Sequence, residues 1–519
     1  MEKLKNNIKL KLEDLTLEEK VGQLLMFAFH GTEFNDQLLT QIEKLKVGGV
    51  IFFGRNIVTP EQVTKLTNEI QAHATIPLYI GVDQEGGTVQ RIINGVTPFP
   101  GAMAISATQN SNYEVSRAVG DDLRKMGFNM NFAPVGDVNN NPNNPVINSR
   151  SYSDDPEVCA KYVIDGAKGF LDSGVIPTCK HFPGHGDTSV DSHISLPTVN
   201  KDLKSLEKTE LLPFKLAIEG GLQGIMASHI LYPAIDDKYP ATLSKAIITD
   251  LLKKKMGFKG LIVTDSLTMG AINNNFTHKE IVNLCVNAGV DLMIFCGRAD
   301  LVDQEDIYKS LLEEVKCGNI PMERVDESVS KLLAYKNNYV LNGNFECNYS
   351  KEERINIGTE LSRDSITLVK ENNFLPITDK TLVIFPKIKL FSLVDNADEE
   401  YVSLGNVFKR YNKSFDEIIY DSEMVDVIKD IDTNKYDKVI LCTYNVTKDD
   451  YQTKLWSKLD KEKTMVVSMR SPYDINHLDN VNNYICIYEA TLLALQSLVE
   501  AIIKNEFKGK LPVKINNKQ

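Results

Sequence analysis

Between residues 23 and 296 the chain alternates between short apolar runs and longer segments that repeat their apolar positions every three to four residues. The short runs are QLLMFAFHG (23–31), GGVIFF (48–53), PLYIGVD (77–83) and FNMNFAPV (128–135). They continue with VIPTCKHF (175–182), GIMASHI (224–230), GLIVTDSL (260–267) and DLMIFC (291–296). Each is apolar almost throughout rather than alternating, the pattern of strands covered on both faces. Helical periodicity at 155–173, 202–220 and 243–255 separates them. Eight such strands with intervening helices predict a (β/α)8 TIM-type barrel, and the strand count favours it over a doubly wound open sheet.

A further helix is predicted at 321–337, followed by the polar, Gly- and Asn-punctuated stretch LNGNFECNYSKEERIN. The expected organisation is a barrel domain over 1–340, a linker at 341–357 and a smaller α/β sandwich domain over 358–519. Strands of the second domain are predicted at 381–386, 438–445, 463–469 and 483–489. The segment TLLALQSLVEAII (491–503) reads as a helix packed on that sheet. Its apolar residues continue around the helix and no basic residue falls within it, unlike a helix lying on a membrane surface.

Composition narrows the partners. Hydrophobic residues make up 42% and charged residues 25%, a globular balance. The 58 basic and 70 acidic residues are interspersed and leave a net charge of −12, which disfavours nucleic acid and anionic lipid as partners. The single tryptophan disfavours a sugar-binding platform of exposed indoles. No apolar run approaches the ~20 residues of a membrane span. The charged first residues lack the apolar centre of a signal peptide, so a cytoplasmic protein is expected. The eight cysteines are dispersed, none in a CxxC pair, which points to free thiols rather than disulfides or zinc ligands.

Chemistry concentrates in KHFPGHGDTSVDSH (180–193), which starts at the end of the fifth strand and holds three of the eight histidines. The same segment carries Lys180, Asp187 and Asp191. Catalytic groups of such barrels sit at the C-terminal ends of strands. A metal site is one alternative, and a loop whose histidines only bond to backbone is another. The spacing matches no standard metal motif, and a cluster this dense at a strand end favours function. Asp83 follows the third strand, with Arg91 a turn later, and Asp265 ends the seventh. A carboxylate there is costly unless it is paired or used. Asp265 as a helix N-cap is the bland alternative. Arg150, in VINSRSY, reads by itself as a surface arginine.

In order along the chain, DQEGGTVQR, NSRSY, KHFPGHGDTSVDSH and VTDSLTMGAI resemble glycoside hydrolase family 3, and within it the β-N-acetylglucosaminidase branch of NagZ-type enzymes. The resemblance covers roughly residues 12–340, and RDSITLVKENNFLPI (363–377) resembles the start of the second domain in two-domain members. It implies a retaining double displacement with Asp265 as nucleophile, His193 as acid/base and Asp191 as the partner of His193. Asp83, Arg91, Arg150, Lys180 and His181 would bind the sugar. An imidazole titrating near pH ~6.5 can donate a proton to a leaving oxygen and then take one from water. His185 and Asp187 would shape the loop, and His229, which ends strand six, is left outside the site.

The resemblance therefore implies an exo-acting enzyme that releases terminal N-acetylglucosamine from muropeptide or chitin-type saccharides. No metal or cofactor is implied. The alternatives are a β-glucosidase of the same family, drawing its acid from a second-domain glutamate, a phosphorylase, and a catalytically silent sugar-binding protein. The DSH triplet disfavours the first of these. The oligomeric state is not legible in the sequence.

Overall fold

The computed structural model describes residues 9–190, 192, 195–297, 300–341, 345–346, 349–388, 402–422 and 432–515. All eight strands predicted in the first domain form. They are β1 (Leu25–Ala28), β2 (Gly49–Phe52), β3 (Tyr79–Val82), and, beyond a small hairpin of β4 (Gln84–Gly86) and β5 (Val89–Gln90), β6 (Met130–Asn131). The fifth predicted strand is split at Thr178 into β7 (Ile176–Pro177) and β8 (Cys179–Phe182). β9 (Gly224–Ala227), β10 (Leu261–Thr264) and β11 (Met293–Phe295) complete the set. Every residue of these strands is buried, which accounts for runs that are apolar on both faces.

Pairing is parallel in the orders β11-β1-β2-β3-β6-β7 and β10-β9-β8. The two sheets meet twice. At one seam β7 runs on into β8, so the fifth strand pairs with β6 before Thr178 and with β9 after it, while Lys180 still bridges Val135 beyond β6. At the other, Val263 bridges Leu292, and the Asp291 amide donates to the Ile262 carbonyl at 2.8 Å. The strands thus run in one circuit, with the helices between them.

The second seam has few backbone bonds, and Asp291 reinforces it. Its Oδ2 accepts from the Ile262 amide at 3.0 Å and from Lys331 Nζ at 2.8 Å, and its Oδ1 accepts from Ser328 Oγ at 2.8 Å. Ser328 and Lys331 lie on the helix Met322–Tyr335, which the carboxylate ties to β10. Burial opposes the charge on Asp291, but Lys331, Lys253 and Arg324 outweigh it and hold the carboxyl below its ordinary range.

The helix predicted at 202–220 is broken into Leu203–Lys208 and Leu212–Glu219, with Pro213 in the first turn of the second, where its missing N–H costs nothing. The stretch expected as linker is partly helical: Lys351–Ser365 begins within it. Ser350 and Glu353 form a reciprocal cap at its start, an S-x-x-E signal hidden in a polar run. Gly358 lets this helix approach the barrel, since a Cβ there would lie 1.8 Å from the Pro98 carbonyl oxygen.

The second domain is one sheet in the order β12-β17-β16-β15-β13-β14. Its strands are β12 (Thr367–Lys370), β13 (Thr381–Pro386), β14 (Asp416–Tyr420), β15 (Lys438–Thr443), β16 (Thr464–Ser468) and β17 (Asn483–Cys486), with β12 alone antiparallel. The four predicted strands form. β12 and β14 were not predicted, and both are partly exposed edge strands with weaker apolar patterns. The helix Leu492–Lys504 packs Leu495, Leu498, Val499 and Ile502 against one face. The other face shares a core with Met103, Ala104 and Ala107 of the barrel domain. Among the described residues no helix is long and apolar enough to cross a membrane, and the described cysteines are all free.

Replacing Asp291 with alanine leaves Lys331 with the Gly260 carbonyl but no carboxylate partner, and removes the acceptor of the Ile262 amide at the seam. The expected loss is about 3–5 kcal/mol in urea unfolding. A loss under about 1 kcal/mol would mean that the seam holds without it.

Candidate active site

A cleft of about 350 Å³ opens at the C-terminal ends of the barrel strands. Asp83, Arg91, Arg150, Lys180, His181 and Asp265 all line it. Asp191 and His193 lie outside the described residues. Ser192, between them in sequence, lines the cleft.

The cleft contains a set of buried ion pairs. Lys180 Nζ lies 2.7 Å from Asp83 Oδ1 and 2.7 Å from Glu85 Oε1. Glu85 accepts a forked pair of bonds from Arg150, Nε to Oε2 at 2.8 Å and Nη2 to Oε1 at 2.8 Å. Arg91 Nη2 stands 3.8 Å from Asp83 Oδ2. Arg150 is only 5% exposed, which corrects its reading as a surface arginine. The reason is Glu85, one residue beyond the Gln of the DQEGG motif and overlooked in the sequence. Burial opposes the charge on Glu85, but Arg150 and Lys180 outweigh it and hold the carboxyl far below its ordinary range. Burial likewise opposes the charge on Lys180, and Asp83 and Glu85 reverse that effect and raise its pKa. Glu85 and Lys180 are therefore charged in the neutral range, and the set offers held donors and acceptors suited to sugar hydroxyls.

Asp137 is the second residue that the sequence did not reveal. Its Oδ2 lies 2.7 Å from His181 Nδ1, while Oδ1 accepts the His181 amide at 3.1 Å and the His185 amide at 2.6 Å. Burial disfavours its charge, but the contacts with His181 prevail and keep Asp137 ionised. An ionised carboxylate at Nδ1 requires the proton on that nitrogen, leaving Nε2 of a neutral His181 as an acceptor. Only a GD dipeptide after the fourth strand marks Asp137 in the sequence.

His185 is fully engaged in the loop. Its Nδ1 is 2.8 Å from Thr188 Oγ1 and its Nε2 is 3.1 Å from Ser192 Oγ. Burial, then the neighbouring His181, pushes its pKa down to about 4. Asp187 pairs with Lys201 at 2.8 Å, and Lys201 also reaches Glu210 at 2.5 Å. His185 and Asp187 thus brace the loop.

Asp265 follows β10. Its amide donates to the Ala227 carbonyl at 2.9 Å, and its Oδ1 accepts from the Ser266 amide at 2.7 Å. It caps no helix, because the next one, Gly270–Asn273, starts after Met269. His229 Nε2 lies 2.8 Å from the Ser266 carbonyl oxygen and Nδ1 lies 2.8 Å from Thr242 Oγ1. It secures the Asp265 loop from outside the cleft. Burial pushes the Cys296 thiol up to about 12, so this cleft-lining group is neutral rather than a competing thiolate.

An ion-paired polar pocket at the C-terminal end of a parallel barrel, with a carboxylate on a strand end, is the architecture of a barrel enzyme's active site. Residues 16–335 match the Glycosyl hydrolase family 3 N terminal domain. Beta-hexosaminidase A of Pseudoalteromonas piscicida is 35% identical over 419 residues, 71% of this chain and 70% of that one. A Beta-hexosaminidase of Neisseria meningitidis serogroup B is 37% identical over 280 residues, 51% of this chain and 77% of its own. The solved glycoside hydrolase family 3 beta-N-acetylglucosaminidase from Paenibacillus sp. str. FPU-7 superposes with a TM-score of 0.89 at 37% identity, covering 96% of this chain and 99% of that one. The chain belongs to glycosyl hydrolase family 3 and is a glycoside hydrolase.

His185 gives a pH-dependent stability. The folded protein protonates it only near pH 4, whereas an unfolded histidine is protonated near pH ~6.5. The unfolded chain takes up the extra proton between these values, so stability falls as pH drops through that window. The full loss is on the order of 3 kcal/mol. His185→Gln, with no proton to gain, should flatten urea midpoints measured from pH ~7 to ~5. An unchanged slope would refute the assignment.

Proposed function

We propose that this chain is a retaining exo-β-N-acetylglucosaminidase. It releases terminal non-reducing N-acetylglucosamine from peptidoglycan-derived or chitin-type saccharides, and acts in the cytoplasm in cell-wall recycling. The observation that carries the reading is Asp265 in the same small cleft as the ion pairs of Asp83, Lys180, Glu85 and Arg150. The names of the relatives support the sugar.

In this reading Asp83, Arg91, Arg150, Lys180 and His181 hold the sugar hydroxyls. An Asp265 carboxylate oxygen attacks the anomeric carbon as its bond to the leaving oxygen breaks. That oxygen takes a proton from His193, whose imidazolium is stabilised by Asp191. Water then attacks the anomeric carbon, gives a proton to His193, and releases both Asp265 and the sugar with retained configuration. No residue of the second domain is among the described residues lining the cleft. The DSH triplet at 191–193 supports an acid drawn from the loop after the fifth strand over the glutamate that a β-glucosidase of this family would take from its second domain.

Product analysis on a muropeptide fragment and a chitin disaccharide, with and without phosphate, tests the substrate. N-acetylglucosamine in both conditions is expected, and a sugar phosphate formed at its expense would establish phosphorolysis. His193→Ala tests the mechanism. A general acid contributes about 10²–10⁴-fold, so cleavage of a sugar leaving group should fall by that much while loss of a nitrophenyl group falls far less. Deglycosylation then lacks a base, and a burst should appear that azide relieves, giving a glycosyl azide of retained configuration. Equal slowing of both substrates with no burst or rescue would make His193 a binding residue only.

A further inference from the structure

Glu489 belongs to the second domain, yet its carboxylate ends behind the pocket. It follows β17 and is 1% exposed. Its Oε2 accepts from the Gly101 amide at 2.5 Å and its Oε1 accepts from Thr491 Oγ1 at 3.0 Å. The same carboxylate presses on the turn between β4 and β5. A Cβ on Gly87, whose φ is +58°, would lie 2.6 Å from Glu489 Oε2 and 2.8 Å from Gly101 Cα. Only glycine allows the three to meet. The Gly87 amide also donates to the Phe99 carbonyl at 2.9 Å, closing the loop that leads to Gly101. Glu85, the partner of Arg150 and Lys180, is on β4 just before this turn.

The second domain also touches the other side of that ion pair. Asn148 Nδ2 donates to Ser471 Oγ at 3.2 Å, and Asn148 shares one helical turn with Arg150. Asn139 Nδ2 donates to Tyr473 Oη at 3.2 Å, and Ser153 Oγ donates to the Pro512 carbonyl at 2.6 Å. Apolar packing on Met103, Ala104 and Ala107 already joins the domains. The Lys510 amide adds a bond to the Ala107 carbonyl there, and the polar contacts named above fall on the segments that lead to Glu85 and Arg150. A buried carboxylate costs desolvation, and here it is spent on a turn of the binding site.

We infer, on the reading of the cleft as a sugar site, that the second domain sets the sugar-binding geometry from behind. Glu489 is its main positioning residue, acting through the Gly87–Gly101 contact on Glu85 and thence on Arg150 and Lys180. It touches no substrate.

The test compares the full chain with Glu489→Ala, Glu489→Gln and Leu498→Ala, a cavity in the second-domain core that serves as a stability control. Each is assayed well below its own Tm for KM and kcat on a nitrophenyl N-acetylglucosaminide and for the Kd of N-acetylglucosamine. Glu489→Ala should raise KM and Kd about tenfold with a smaller change in kcat, because ground-state contacts to the sugar are displaced. Glu489→Gln, which still accepts from the Gly101 amide, should recover most of the loss, and Leu498→Ala should bind as wild type does. If Glu489→Ala does not fold, Ser471→Ala is measured instead and should shift KM and Kd in the same direction. Wild-type KM and Kd in the folded variant, or an equal shift in Leu498→Ala, would overturn the role. A wild type that binds the sugar without cleaving it would sink the hydrolase reading and leave this comparison standing. A wild type that does not bind it would sink both.

Discussion

Glu85 accepting a forked pair of bonds from Arg150 while contacting Lys180 is the constraint on which the rest of the site depends. Four charges, with Asp83, are removed from most of their water in one cleft. Each is tolerable only while its partners hold their places, because a buried charge that loses its partner costs several kcal/mol. Their chain positions are remote from one another, at the ends of the third and fifth strands and in the loop after the fourth. A closed circuit of parallel strands brings these ends to one rim, and its closing seam at Asp291 is itself a buried ion cluster. The fold and the site thus stand or fall through the same kind of interaction.

Around that set the polar groups divide their work. Asp137 takes three bonds from the His181–His185 segment and fixes a tautomer. His185 stays neutral and braces its own loop. Asp265 comes from a different strand end and accepts from the Ser266 amide. In the proposed reaction its partner across the sugar is an imidazole. A nucleophilic carboxylate facing an imidazole avoids the mutual repulsion by which two carboxylates raise one another's pKa.

Much of the fold was legible because its signal was redundant. The barrel strands are buried on both faces, so runs such as LLMFAF and LIVT announce themselves without alternation. β12 and β14 did not, because edge strands expose one side and their composition, TLVK and DEIIY, resembles a loop's. The cap at Ser350 was masked by the charged residues that follow it. In the site, residues at strand ends within dense motifs were readable: Asp83, Lys180, His181 and Asp265 all reach the cleft. Glu85 and Asp137 were not, since their role is to satisfy partners remote in sequence, and only the folded chain shows that Arg150 has somewhere buried to go. Asp191 and His193, the most specific part of the motif, lie outside the described residues.

The proposed mechanism turns on Asp265 carrying the sugar in a covalent intermediate. The most direct measurement is to trap that intermediate with an activated fluorosugar analogue of N-acetylglucosamine and to map the modified peptide by mass spectrometry. The predicted result is one sugar per chain, on the peptide containing Val263–Thr264–Asp265, and no label in Asp265→Ala. A label on another carboxylate, or complete turnover with inverted configuration and no trapped species, would contradict it.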